Sequence, residues 1–226
     1  MVEMMEPMEP MEPRQTITTT AKTVEEATEL ALRELDVDLA EAEVTVVSKG
    51  KPGILGIGVE PAKVTVTRLD EPTDVIRFAT ATLQTLISGM GVDGTVVLKQ
   101  ANVEDINGPL FNIDSEDAGL LIGKRGETLR AFQFLLRLLV SHQIGERASL
   151  LLDISDYQER RQQSLANMAQ RIANSVIKTG QPFTLEPMPP NERRAIHVAL
   201  STHNGVSTRS VGIGDGRQII VEPATE

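Results

Sequence analysis

Leu120-Leu121-Ile122-Gly123-Lys124-Arg125-Gly126-Glu127-Thr128 is the stretch on which the reading of this 226-residue chain turns. An apolar run stops at a glycine, two cations follow, a second glycine closes the turn, and helix-compatible sequence resumes at once. Glycines let a backbone approach a ligand with no Cβ in the way. The N–H groups that open the next helix favour an anion, and Lys124 and Arg125 can add charge pairing. The same residues would also serve as an ordinary helix-to-helix turn with solvated cations. A P-loop is excluded, because the spacing from Gly119 to Lys124 is wrong and Arg125 stands where Ser or Thr is required.

The flanks give that turn a context. Val75, Phe78, Ala79, Leu83, Leu86, Ile87 and Met90 mark one face of a long helix ended by Gly89 and Gly91. Strands are predicted over 94–103 and 109–114, joined by an Asn107-Gly108 turn. A short helix over 116–122 precedes the glycines, and a helix carrying Leu129, Phe132, Leu136 and Leu139 follows them. A strand over 148–154 closes an α-β-β-α-α-β order.

That order, with Ile122-Gly123-Lys124-Arg125-Gly126 between its second and third helices, resembles a type II KH domain over residues 71–154. The resemblance implies that Gly123, Lys124, Arg125 and Gly126 grip the backbone of about four nucleotides, with Leu121 or Ile122 supporting the floor of an apolar groove.

Downstream, a helix is predicted over 155–178 with Leu165, Met168, Ala169, Ile172 and Val176 on its apolar face and Thr179-Gly180 as its end. A strand over 182–185, a helix over 191–201 and strands over 205–211 and 218–222 complete this part. In Pro190-Asn191-Glu192-Arg193-Arg194-Ala195-Ile196-His197, Arg193 and His197 are i and i+4 and share a helix face. A guanidinium fork binds phosphate, and an imidazole can hydrogen-bond it or stack on a base. Taken bare, Arg-x-x-x-His is frequent on solvated helices. With its surroundings it resembles the single-stranded nucleic-acid-binding domain named after that motif, over residues 156–223. The resemblance implies a nucleic-acid surface made by Arg193, Arg194 and His197. Arg209 and Arg217 would extend it, and Ser207, Thr208 and Ser210 would offer hydroxyls to phosphate. Val211 and Ile213 depart from it, standing where acidic residues are expected in a Ser-x-Gly-x-Gly loop.

Upstream, Thr16–Ala21 has β-branched character, and Thr23 with Glu26 forms a capping box ahead of a helix carrying Ala27, Leu30, Ala31 and Leu35. Strands are predicted over 43–48 and 62–67. The intervening Lys51-Pro52-Gly53-Ile54-Leu55-Gly56-Ile57-Gly58 is no dinucleotide fingerprint, since its glycine order is reversed and no helix follows. Ile54, Leu55 and Ile57 fit a packed hairpin or, as the second choice, a partner contact. Residues 1–14 hold three tandem Met-Glu-Pro units, which block helix formation and are expected to form a disordered tail. Any of several of these methionines could be the translation start.

The segment over 15–68 resembles the N-terminal domain of the Jag family, in which Lys-x-Gly-x-Leu-Gly-x-Gly is the hallmark. This domain, a KH domain and the Arg-x-x-x-His domain, in that order, make up the Jag architecture. The expected fold class is therefore α+β, as three small domains in series: β-α-β-β, α-β-β-α-α-β and α-β-α-β-β.

Composition narrows the function. Hydrophobic residues make up 40% and charged residues 24%, which suits globular cores. With Cys 0 and only three histidines, disulfides, thiolate chemistry and His-rich zinc sites drop out. Aromatics are 3%, which counts against modules that stack bases on exposed rings. A KH groove does not depend on such rings. The net charge of −10 opposes bulk attraction to nucleic acid, but residues 156–223 carry 8 basic against 6 acidic side chains. RNA binding must then rest on local sites. No run of 18 apolar residues and no signal-peptide pattern occurs, so a cytoplasmic protein without membrane insertion is expected. His142 and His203 belong to no credible triad, and the missing Walker elements argue against a nucleotide hydrolase. No catalysis, metal or cofactor is expected.

The resemblance implies an RNA-binding regulator with a post-transcriptional or cell-envelope role, tied to cell elongation and division in some bacteria. It also implies a small single-KH protein as heterodimer partner. The competing reading is a protein-interaction adaptor, in which the KH helices dimerise and the N-terminal domain docks a membrane-associated partner.

Overall fold

The computed structural model describes residues 15–50 and 60–224. The tandem Met-Glu-Pro tail and the 51–58 glycine string lie outside the described residues. The fold is α+β, and the chain divides into two compact units, with the break between Ser155 and Asp156.

The first unit opens with β1 (Thr16–Ala21), α1 (Val24–Leu35), β2 (Ala42–Ser48) and β3 (Ala62–Arg68). The three strands form an antiparallel sheet in the order β1-β3-β2. Thr23 caps α1 by accepting from the Glu26 N–H at 3.1 Å. The reciprocal half of the box falls one residue early, since the Glu26 carboxylate accepts from the Lys22 N–H at 3.2 Å. Ala27, Ala31 and Leu35 face the sheet as the periodicity predicts, but Leu30 points outward.

The unit continues with α2 (Asp74–Met90), β4 (Thr95–Val103), β5 (Gly108–Asp114), α3 (Ala118–Ile122), α4 (Glu127–Ile144) and β6 (Leu151–Ile154). Its sheet runs β4-β5-β6, with β4 antiparallel and β6 parallel to β5. α2 buries Ile76, Ala79, Leu83 and Ile87. Gly89 stays helical, and Gly91 ends the helix at φ 65°. Met90 is exposed. Gln133 and Arg137 of α4 hydrogen-bond the backbone of Leu152 and Leu150 at 3.0 and 3.1 Å, so the open edge of β6 is covered by helix.

Strand β4 is buried on both faces, as its Val96-Val97-Leu98 run requires. Val97 belongs to the N-terminal core with Ala42, Val44, Ala62, Val64 and Val66. The Ala101 N–H also donates to the Glu43 carboxylate at 3.2 Å, and Lys49 pairs with Asp114 at 3.0 Å. The segments 15–68 and 71–154 are thus sewn together through β2 and β4.

The second unit contains α5 (Tyr157–Thr179), β7 (Phe183–Thr184), α6 (Pro190–Leu200), β8 (Val206–Val211) and β9 (Gln218–Pro223). The sheet order is β7-β9-β8, all antiparallel. Leu165, Ala169, Ala173 and Val176 bury one stripe of α5 against Ile196, Leu200, Ile219 and Val221. Spacings of four, four and three residues keep that stripe on one helix face. Gly180 then ends α5 at φ 65°, its N–H donating to the Val176 carbonyl at 2.8 Å.

Candidate functional site

In the first unit the Gly123–Gly126 segment is a tight link between α3 and α4. Gly123 has φ 68° and ψ −173°, a region open in practice only to glycine. A Cβ there would fall 2.0 Å from Thr128 Oγ1 and 2.8 Å from Thr128 Cβ. Arg125 at φ 53° and Gly126 at φ 74° are both left-handed. Arg130 Nη1 donates to the Arg125 carbonyl at 2.9 Å and holds the strained residue in place. Lys124 is exposed, Arg125 half-buried and Gly126 buried. The turn therefore offers one cation fully to solvent and a second partly so, over a backbone stripped of Cβ at its first and last positions.

Leu121 and Ile122 are both buried. Both lie beneath the turn rather than at its solvent face. The apolar neighbour that does reach solvent is Leu120, which the sequence pattern does not single out. With α3 only five residues long, periodicity has too little length to say which leucine of the pair Leu120-Leu121 faces in.

In the second unit Arg193 and His197 do share one face of α6. Arg193 is only 9% exposed, and its guanidinium is engaged. Nε donates to the Met188 carbonyl at 3.2 Å and Nη1 to Ser210 Oγ at 3.2 Å. His197 Nδ1 is hydrogen-bonded to Thr208 Oγ1, and its Nε2 lies 3.4 Å from Ser210 Oγ. Thr208 and Ser210 share with buried Val206 the β8 face that points toward the helices. The hydroxyls of Thr208 and Ser210 take part in these hydrogen bonds within the protein. Arg193 itself is a brace between the Pro187–Pro190 segment and β8.

The other cations separate by face. Arg194 is exposed on α6. Arg209 alternates to the opposite side of β8 from Thr208 and Ser210, so it does not join the Arg193/His197 surface, and it pairs with Glu222 at 3.4 Å. Arg217 is exposed in the β8–β9 connection. Ser207 shares the Arg209 side.

Sequence reasoning missed a further pair. Arg161 of α5 makes a bidentate bond to Glu192 of α6, 2.9 Å at each oxygen, with side-chain exposures of 26% and 6%. The hydrogen bonds that Arg161 donates to Glu192 raise its pKa above the ordinary value, outweighing the opposing effect of burial. This fork fixes the first turn of the helix that carries Arg193 and His197. Neither residue advertises it, because the two lie 31 positions apart.

The α6 site lies within a segment that a known family describes, while the Gly123–Gly126 turn falls between the two matched segments. The chain matches the Jag N-terminus over residues 19–68 and, over residues 163–223, the domain family named for the Arg-x-x-x-His motif. It is 38% identical over 206 residues to the RNA-binding protein KhpB of Clostridium symbiosum, a match covering 91% of this chain and 90% of that protein. To RNA-binding protein KhpB of Bacillus subtilis it is 33% identical over 208 residues, covering 91% and 97%. The protein of the same name from Streptococcus pneumoniae serotype 2 is 30% identical over 152 residues, or 66% of this chain and 45% of that one. A Jag N-terminal segment and an Arg-x-x-x-His domain, placed around an α-β-β-α-α-β segment, define a modular protein with its candidate sites on separate units. Given the identity and coverage, this chain belongs to the Jag family, alongside the KhpB proteins.

Proposed function

We propose that this chain is a non-enzymatic regulator that binds single-stranded RNA at two places, the KH-type loop Gly123–Gly126 and the surface built on α6. The name RNA-binding protein, carried by relatives that match nearly the whole chain, supports the ligand class. The observation that carries the reading is the loop itself. Gly123 holds a backbone conformation that costs any other residue stability, directly beside exposed Lys124. The missing Cβ lets Thr128 pack against the turn, and the turn meets phosphate with the Lys124 ammonium on its exposed side. In the second unit, Arg194 and Arg217 are exposed cations that can meet phosphate beside the surface that Arg193 and His197 hold in shape. Covalent linkage makes the second capture intramolecular, so two weak sites yield useful affinity. Post-transcriptional control linked to cell elongation and the envelope is the biological setting we assign to this activity.

The test is fluorescence anisotropy of a labelled single-stranded RNA with the full chain across a salt series. The logarithm of affinity should fall with the logarithm of salt at about −0.7 per neutralised phosphate, and Lys124→Asp/Arg125→Asp and Arg194→Glu/Arg217→Glu should each flatten that slope. Binding without salt dependence, or variants that leave the slope unchanged, would overturn both site assignments.

A second reading, protein association, is favoured by one specific observation. Phe134, Leu135, Leu138 and Leu139 of α4 are all exposed, Phe134 by 67%, and their spacing makes one continuous apolar stripe. We assign this stripe to pairing with the KH helices of a small single-KH partner, in addition to RNA binding. Docking of a membrane-associated protein by the N-terminal segment belongs to the same adaptor reading. Charge reversal at Lys124 and Arg125 separates the two readings, since an adaptor keeps its protein partner and an RNA binder loses its ligand.

A further inference from the structure

We infer that Ile213 is a nucleobase contact, an apolar tip set against a base of the strand held at the α6 surface. The inference rests on the RNA-binding reading above and adds a residue and a mode of contact to it. Val211 and Gln218 are the last paired residues of β8 and β9, leaving Gly212–Arg217 as the connection between them. Gly212 at φ +88° and Gly214 at φ +55° are left-handed, while Ile213 between them is extended at φ −131°. A Cβ on Gly212 would come within 2.8 Å of the Gly216 carbonyl. The two glycine corners thrust the side chain between them outward, and Ile213 is 90% exposed, more than any other large apolar residue described.

An isolated exposed isoleucine is by itself ordinary on a protein surface. This one is mounted on a fastened loop. The Arg217 N–H donates to the Gly214 carbonyl at 3.2 Å, and the Arg217 carbonyl accepts from the Met188 N–H at 3.2 Å. Met188 in turn receives Arg193 Nε, and Ser210, at the root of the connection, receives Arg193 Nη1. One guanidinium therefore braces both ends of the loop that displays Ile213. Ile213 is three residues from Ser210, so their Cα atoms are at most about 10 Å apart. That keeps the tip next to the Arg193/His197 surface.

Chemistry selects the kind of contact. Arg217, at the foot of the connection, is the group suited to phosphate. Ile213 at the tip has no charge and brings an apolar branched side chain instead. A base offers a flat, apolar face whatever its identity, so the contact would be tolerant of sequence. Arg193 is then a positioning residue, acting on RNA through the loop it holds.

The experiment uses the full chain with ¹³C-labelled isoleucine δ1 methyls, the Ile213→Ala variant assigning the resonance. It is titrated with a mixed-sequence single-stranded RNA and with an abasic ribose-phosphate oligomer of equal length. The Ile213 methyl is expected to shift upfield under the base ring current with RNA and to stay in place with the abasic strand. Ile213→Ala should weaken RNA binding about fivefold, as when part of an isoleucine side chain loses its apolar contact, with the salt slope kept at its wild-type value. If the Ser210 and Arg217 amides respond to RNA while the Ile213 methyl does not, the inference is overturned and the RNA-binding reading stands. Equal methyl shifts with both strands would also overturn it, by making the contact one to the backbone. Absence of any RNA response in the wild type would sink both.

Discussion

Replacing Gly123 by alanine should cost the first unit about 2–4 kcal/mol, from two separable sources. The backbone at φ 68° and ψ −173° lies in territory essentially reserved for glycine, which accounts for about 1–3 kcal/mol. The new Cβ would also stand 2.0 Å from Thr128 Oγ1, 2.8 Å from Thr128 Cβ and 3.1 Å from the Thr128 backbone nitrogen. Thr128 is exposed, so its hydroxyl can rotate away, but the nitrogen cannot move without shifting the start of α4. Urea unfolding of the full chain, followed by far-UV circular dichroism, reads the effect. With a slope of about 2 kcal/mol per molar, the midpoint should fall by about 1–2 M. Gly123→Ala/Thr128→Ala removes the hydroxyl overlap alone and should recover only the smaller part. Gly119→Ala is the control, because nothing lies within 4 Å of its Cβ position on α3 and φ is ordinary there, and it should be neutral or stabilise by up to about 1 kcal/mol. A Gly123→Ala midpoint within about 0.3 M of wild type, an effect under 1 kcal/mol at that slope, would refute the argument that this turn demands glycine.

Other outcomes can be checked in the same protein. Arg161→Ala leaves the Glu192 carboxylate buried and unpaired and should destabilise the second unit by about 2–3 kcal/mol, whereas Arg161→Met/Glu192→Met should recover most of that loss in calorimetry. Gly108→Ala would set a Cβ 2.1 Å from the Ser149 carbonyl and should lower the melting temperature of the first unit by several degrees, at about 2–4 °C per kcal/mol for a unit of that size. Leu138→Glu on the exposed stripe of α4 should leave the urea midpoint within about 0.3 M of wild type while abolishing any self-association or partner capture seen by light scattering.

Much of this architecture could be read in advance because its cues are local. Thr23 caps α1 with its own hydroxyl, Asn107 takes the left-handed turn at φ 50°, and Gly180 ends α5, each through the residue itself and its near neighbours. Periodicity was less decisive where a helix has apolar residues on two sides. In Phe132-Gln133-Phe134-Leu135-Leu136-Arg137-Leu138-Leu139-Val140 the sequence marks Leu139 as core, yet Val140 is buried and Leu139 exposed, since helical spacing alone does not say which of two apolar faces meets the sheet. The candidate site divides in the same way. The Gly-x-x-Gly turn is visible because glycine is itself the signal. The roles of Arg193, Ser210 and Glu192 are not, because they depend on residues brought together from distant positions, and a charged side chain is by default taken as solvated.

The shared core of β2, β3 and β4 has a consequence for synthesis. Residues 15–68 are synthesised before 71–154 and carry β1, β2 and β3, but Val97, which joins the core of that sheet, is added 29 residues after Arg68. At 5–20 residues per second, that is a delay of roughly 1.5–6 s. During that interval the core formed by α1 and its sheet, to which Val44, Val64 and Val66 belong, lacks Val97. Its maturation is therefore paced by translation of the segment that follows.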